Sequence, residues 1–267
     1  MEMEALDLVL DVGNTRTKAA FFGDKGIVDR AHLPQGDLEA LDEWIAGRPM
    51  RSAVIGSVAA RDRALVDHLR RSCPVFEIGG DTPTPLRNAY TTPLSLGVDR
   101  LANAVAAALR FPDRPVLAID AGTCITYDVV DADGSYVGGA ISPGMLMRAK
   151  AMHAYSARLP LSVPLEQVPV FGTDTSSSLS VGIHHGIVGE IRGFIEHFGY
   201  HRPHLAVVLT GGDALRFVRA LKSGIFAHPL LTLEGLHAIH VFNRAGDARP
   251  GGPGTPDSKG TGPAGQR

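Results

Sequence analysis

Two stretches of this chain are versions of one another, and the repeat restricts the possible folds more than any other feature. Residues 6–17 read LDLVLDVGNTRT and residues 116–126 read VLAIDAGTCIT. Each is a short apolar run that ends in an aspartate, with a glycine two positions on and a threonine just beyond. The aspartates, Asp11 and Asp120, lie 109 positions apart. A second apolar run follows each (18–22 and 127–130), then a third strand candidate (27–33 and 136–141). Short runs separated by tight turns predict a β-meander in each half rather than alternating βαβ units. Behind the first meander the pattern predicts helices over 38–46 and 61–71 and strands over 53–58 and 75–78. In the second half it predicts a strand over 205–209 and helices over 213–221 and 231–241. A duplicated unit of this kind implies an α/β chain of two lobes with a ligand cleft between them.

The sequence FPDRP at 111–115 stops a helix predicted over 100–109 and sets a boundary. The expected units are lobes at 4–112 and 113–243. Residues 244–267 carry seven glycines and four prolines among 24 positions and no large apolar side chain. Such a segment cannot bury enough surface to offset its ordering entropy, so a disordered tail is expected.

Composition removes several classes of function. The net charge is −2, which gives no bulk attraction to nucleic acid or to an anionic membrane. No apolar run approaches the roughly 18 residues of a membrane span, and no secretory leader pattern opens the chain. Cys73 and Cys124 are the two cysteines, too few for a disulfide framework or a four-thiolate zinc site. A cytoplasmic protein is expected. The histidines at 184, 185, 197, 201 and 204 form no repeated i,i+4 ligand pair and read as surface residues.

Four motifs carry chemistry. In the first, Asp11, Val12, Gly13, Asn14, Thr15, Arg16, Thr17 and Lys18 place a carboxylate at a strand end beside a turn rich in donors. Exposed N–H groups in a tight turn cradle phosphate, and a carboxylate beside them suits Mg²⁺. Alone, this is equally a polar hairpin turn. In the second, Asp120, Ala121, Gly122 and Thr123 repeat the arrangement, and two facing phosphate turns are harder to dismiss. The third, Gly97, Val98, Asp99 and Arg100, opens a helix. It is either an N-cap with a surface charge or an anion-binding Arg beside a proton acceptor. The fourth, Thr210, Gly211, Gly212 and Asp213, is a strand-to-helix turn that a nucleotide base or ribose could approach closely, or an ordinary glycine turn.

The first three motifs, in order and with Tyr90-x-x-Pro93, Gly138-Gly139-x-Ile141-x-Pro143-Gly144 and Thr210-Gly211-Gly212, resemble those of the type III pantothenate kinases. The resemblance runs over about residues 6–243. It implies a duplicated ribonuclease H-like, actin-like fold with a central cleft, and ATP-dependent phosphorylation of the primary hydroxyl of pantothenate, the first step of coenzyme A synthesis. By that resemblance the stretch from Asp11 to Lys18 is the ATP phosphate loop and Thr123 a further ATP contact. Asp99 is the catalytic base, and Tyr90, Gly97, Val98, Asp99, Arg100 and Thr175 are pantothenate-binding positions. Asp120 holds a monovalent cation, K⁺ or NH₄⁺, and Mg²⁺ accompanies ATP. The resemblance also implies a homodimer in which Thr175 reaches the other copy's site. Asp174 stands where the family often has Asn, adding a negative charge near an anionic substrate.

The glycines at 182, 186, 189 and 193 fall on one face of a helix predicted over 176–198. Each costs about 1 kcal/mol of helix stability relative to Ala, which close helix–helix contact would offset. Competing readings are another kinase or a phosphatase of the same superfamily, a catalytically idle accessory protein, and an actin-like filament former. The compact chain, the Gly-x-Asp-Arg motif and the intact Asp11, Asp99 and Asp120 favour the kinase.

Overall fold

The structure is a computed structural model that describes residues 4–13, 16–57, 63–162, 165–221 and 224–247. The first half runs β1 (Leu6–Val12), β2 (Arg16–Gly23), β3 (Gly26–Pro34), α1 (Leu38–Ile45), β4 (Met50–Ser57), α2 (Arg63–Leu69), β5 (Val75–Ile78), β6 (Arg87–Asn88) and α3 (Val98–Arg110). The second runs β7 (Val116–Ala121), β8 (Cys124–Val130), β9 (Ser135–Pro143), α4 (Met145–Ala154), α5 (Thr175–Gly199), β10 (Ala206–Thr210), α6 (Ala214–Leu221), β11 (Ile225–Ala227) and α7 (Leu231–Asp247).

The duplication is real. One sheet has the order β3-β2-β1-β4-β5, the other β11-β10-β7-β8-β9-β6. In each, an antiparallel meander is extended by parallel strands on its far side. Strand alternation then sorts the side chains. Leu8 and Leu10 join an outer core with Leu41 and Leu65, while Val9 and Val54 face inward. In the second sheet Leu117 and Ile119 pack outward with Ile183 and Ile187, while Val116 and Ala118 face inward.

The lobes exchange helices. α7 packs on β1, β2, β4 and β5 of the first sheet, and α3 packs on β7 and β8 of the second. These two helices lie against one another between the sheets, so one inner core runs through both lobes. Their approach is close because residue 235 has no side chain: a Cβ on Gly235 would lie 1.9 Å from the Ala102 carbonyl oxygen. Gly235→Ala is therefore expected to destabilise the protein by about 3 kcal/mol, the upper end for an overpacked site, despite the better helix propensity of alanine. A denaturant titration that found the variant as stable as the parent would contradict this packing.

The inner end of α7 is anchored on a buried carboxylate. Asp7, fully buried on β1, accepts from Arg51 Nε at 2.9 Å and Nη2 at 2.7 Å, and from Ser52 Oγ at 2.7 Å. His237 Nε2 stands 3.3 Å and Arg244 Nη1 3.4 Å from Asp7 Oδ2, the oxygen that Arg51 Nη2 also reaches. The Ser52 hydroxyl donates to Asp7, so its second contact, His240 Nε2 at 3.0 Å, must be a donor. That fixes the His240 tautomer and leaves Nδ1 as a bare acceptor, and Nδ1 is buried with no partner.

Three expectations need adjustment. α7 continues to Asp247, so residues 244–247, assigned to the tail, are helical; residues 248–267 lie outside the described residues. α4 forms over a stretch for which the sequence pattern gives no element. The strand β6, from the first half of the chain, pairs with β9 of the second sheet. Cys73 is buried and Cys124 half-buried, and both are free thiols.

Candidate active site

The two Asp-x-Gly turns open toward one another at the inner faces. On β1 the alternation that buries Leu10 and Val12 in the outer core turns Asp11 inward, opposite Lys18 on β2. Lys18 Nζ lies 3.2 Å from Asp11 Oδ2, and Gly13 N–H donates to the Arg16 carbonyl at 3.2 Å. Thr17 is buried on the opposite face from Lys18, so only its backbone belongs to the turn. The same holds for Val12. Arg16 is exposed at the start of β2. Asn14 and Thr15, expected in this turn, lie outside the described residues.

The second turn is held harder. Gly122 N–H donates to the Cys124 carbonyl at 3.0 Å, and Gly144 N–H to the Thr123 carbonyl at 3.1 Å. A Cβ on Gly144 would come within 2.3 Å of the Gly122 oxygen, and one on Gly211 within 2.4 Å of Asp120 Oδ1. Gly211 also has φ +97°, a backbone that favours glycine. Thr123 is exposed in the cleft. The Asp120 carboxylate is aimed by Asn103 of α3, whose Nδ2 donates to Oδ2 at 3.1 Å. Asn103 is in turn fixed by the Thr232 hydroxyl of α7 at 2.9 Å. Neither residue is marked by any sequence motif, since an Asn inside a helix looks like any other polar position.

Asp120 has Thr126 opposite on β8 and Thr210 opposite on β10, and paired positions share one face of a sheet. Both threonine hydroxyls are buried without a hydrogen-bond partner. A carboxylate flanked by two unpaired hydroxyls is an all-oxygen donor set that fits a hard cation. Among the described residues, no group of three or more His, Cys, Asp or Glu could hold a metal ion.

Asp99, in the first turn of α3, completes the cluster. Its Oδ1 accepts from Arg100 N–H at 2.8 Å, and a Cβ on Gly97 would lie 2.6 Å from that oxygen. Glycine at 97 thus leaves the carboxylate its position. The four groups feel each other. Burial raises the pKa of Asp11, which Lys18 opposes and Asp99 reinforces. Burial also pushes Asp120 up to about 6, against Lys18 and with help from Asp99 and Asp11. Burial pulls the Lys18 ammonium down, but Asp11, Asp120 and Asp99 outweigh it and its pKa ends raised. Three carboxylates facing one ammonium make a site short of positive charge.

On one side of the cluster stands an aromatic wall. The Tyr90 and Tyr136 rings are 6.0 Å apart, and the Arg100 guanidinium lies 5.6 Å over Tyr90. Arg100 is not a free anion receptor: it is buried, with Nη2 2.7 Å from Asp128 Oδ1, and the Tyr136 hydroxyl donates to the same oxygen at 2.8 Å. Burial works against the guanidinium and Asp128 holds it charged. Val98 faces the inner core, so it offers only backbone to a ligand. On the other side is a cavity of about 200 Å³ lined by Lys18, Arg30 and His32 across from Gly211, Gly212 and Leu215. Thr175 sits apart, exposed as the first residue of α5. Asp174 is the N-cap of that helix: its Oδ1 accepts from Ser177 N–H at 3.0 Å and Oδ2 from the Ser177 hydroxyl at 2.7 Å. Its charge is thus committed to capping.

Paired hairpins with an aspartate each, facing across two duplicated lobes, define the duplicated, actin-like fold class. Solved structures agree on the fold. A protein described as a Baf family transcriptional activator from Campylobacter jejuni superposes with a TM-score of 0.57 at 22% identity, over 89% of this chain and 99% of that one. An activator of 2-hydroxyisocaproyl-CoA dehydratase from Clostridium difficile, with bound ADPNP, gives 0.53 at 13% identity, over 92% and 98%. Within that class the chain belongs to the type III pantothenate kinase family, whose sequence profile matches residues 7–197. It is 40% identical over 239 residues to the type III pantothenate kinase of Bacteroides fragilis, covering 89% of this chain and 98% of that protein. It is 39% identical to that of Phocaeicola vulgatus, over 89% and 99%.

Proposed function

We propose that this protein phosphorylates the primary hydroxyl of pantothenate with ATP, the step that opens coenzyme A synthesis. The observation that carries the reading is the meeting of Asp11, Lys18, Asp99 and Asp120 at the mouths of two glycine-tight turns. Family membership supplies the acceptor.

ATP spans the cleft, its adenosine in the cavity beside Gly211 and Gly212 and its phosphates between the turns. Lys18 draws the phosphates to the aspartates. Pantothenate lies along the Tyr90 wall with its hydroxyl at Asp99. Because Arg100 is paired with Asp128, it serves chiefly to brace this wall. Phosphoryl transfer is largely dissociative, so the attacking oxygen needs little activation. Asp99 has only to orient the hydroxyl and take its proton late. Positioning and charge neutralisation carry most of the rate. Asp11 is the residue that would hold Mg²⁺, which would supply neutralisation of the phosphate charge. Asp120, Thr126 and Thr210 are the residues that would hold K⁺ or NH₄⁺.

The α5 glycines support a homodimer. A Cβ on Gly182, Gly189 or Gly193 would meet nothing within 4 Å, so this face has room for a second copy's helix. Such a dimer would bring Thr175 to the neighbouring cleft. Among the described residues no helix is long and apolar enough to cross a membrane.

The test is coupled phosphorylation of pantothenate with Mg-ATP, with and without K⁺ or NH₄⁺. Turnover that falls at least about tenfold without the monovalent ion is the expected result. ATP binding with no turnover under any cation would overturn the assignment.

A further inference from the structure

Behind the second turn lies a polar network that the reaction as described does not use. Arg148, on α4, sends Nε to the Pro143 carbonyl at 2.8 Å and Nη2 to the Ser142 hydroxyl at 2.9 Å. The same Nη2 lies 2.5 Å from Glu190 Oε2 on α5. Glu190 also accepts from the Tyr127 hydroxyl at 2.7 Å and the Ser142 hydroxyl at 2.9 Å. Burial raises the Glu190 pKa, but Tyr127, Arg148 and Ser142 outweigh it and leave it lowered, so the carboxylate is ionised. The guanidinium passes α5 at Gly186, where a Cβ would stand 3.8 Å from Nη1.

The network ends at the site. Pro143 closes β9 and Gly144 caps α4, and Gly144 is sealed on the second turn through its hydrogen bond to the Thr123 carbonyl. No side chain fits between Gly144 and the Gly122 and Thr123 carbonyls, so these backbones move together. Arg148 therefore grips the strand end on which the second turn rests, and Glu190 grips Arg148 from the helix whose glycine face is open.

We infer that Arg148 and Glu190 are positioning residues for the second phosphate turn, setting the affinity of the cleft for nucleotide phosphate and its monovalent cation. The inference rests on the kinase reading for its ligands. Lysine at 148 keeps the charge but not the fork that reaches Pro143 and Glu190 together. Glutamine at 190 keeps the shape and removes the charge.

The experiment measures Mg-ADP affinity of Arg148→Lys and Glu190→Gln by calorimetry, a readout that needs no acceptor turnover. The same variants are assayed for KM of ATP, KM of pantothenate and half-activation by K⁺. The expected result is at least a fivefold loss of Mg-ADP affinity with similar rises in ATP KM and K⁺ half-activation. Pantothenate KM should stay within about twofold. Unchanged Mg-ADP affinity and K⁺ half-activation in either folded variant would overturn the inference. If Arg148→Lys does not fold, Glu190→Gln decides alone. A parent protein that binds Mg-ADP without phosphorylating pantothenate would sink the kinase reading, while weakened Mg-ADP binding in the variants would still uphold the role of Arg148 and Glu190.

Discussion

Replacing Asp99 with asparagine is expected to lower pantothenate turnover at least about 100-fold while Mg-ATP binding stays within about twofold. The substitution is nearly isosteric. An asparagine oxygen still accepts from Arg100 N–H, the 2.8 Å bond that Asp99 makes in the first turn of α3, so the helix start survives. What disappears is the proton acceptor. A companion change isolates position from chemistry. Alanine at 97 would put a methyl group 2.6 Å from Asp99 Oδ1 and push an otherwise intact carboxylate aside. A displacement of about 1 Å at a reacting group costs up to about 100-fold, so Gly97→Ala should lose rate with little loss of stability. Steady-state kinetics beside thermal melts separate the two effects. An Asp99→Asn variant with near-normal turnover would remove Asp99 from the base role.

A loss of stability as large as that expected of Gly235→Ala belongs to Asp7, which the reaction does not use. Asp7→Asn should cost about 3 kcal/mol, the low end for removing one partner of a buried charge cluster, because the Arg51 and Arg244 heads keep contact with water. For a chain of this size that is a fall in Tm of roughly 10 °C. The pH dependence follows from the direction of the shift. Burial raises the Asp7 pKa, but Arg51, Ser52 and His237 outweigh it and hold the carboxyl well below its usual range. A depressed carboxylate stabilises above its unfolded pKa, about 4, and the gain is lost as pH falls toward the folded value. The Tm advantage of the parent over Asp7→Asn should thus hold from pH 8 to about 5 and shrink below about 4. Thermal melts at these pH values give the answer, and a gap unchanged at pH 3.5 would contradict it. His237 and His240 are held neutral mainly by burial. Unfolding exposes them to protonation below about pH 6.5, so they too withdraw stability as pH falls.

Much of the cleft was legible because strand alternation acts locally. Asp11 and Asp120 recur in matching apolar runs, and the period of two that buries Leu10 and Ile119 turns both aspartates inward. The same period sends Thr17 and Val12 to the other face, so those two positions can offer a ligand only their backbone. Long-range partners left no local trace. Nothing near Arg100 announces Asp128, nothing near Asp120 announces Asn103 and Thr232, and Asp7 looks like one more strand residue until α7 returns over it. Such pairs are set by how the two halves dock, and a pattern confined to one segment does not carry that information.

The exchange of helices between lobes also governs how the polypeptide can be made. Val9, Val54 and Phe76 face the space that α7 fills, and α7 leaves the ribosome after every other described element. Until it emerges, the first sheet has one apolar face open to water. The N-terminal half is therefore not a free-standing folding unit, and translation must pass α7, at Leu231–Asp247, before the first-made sheet is covered. A chain cut between the halves would yield two pieces that each lack a layer, and mixing them, rather than refolding either, is the way to recover the cleft.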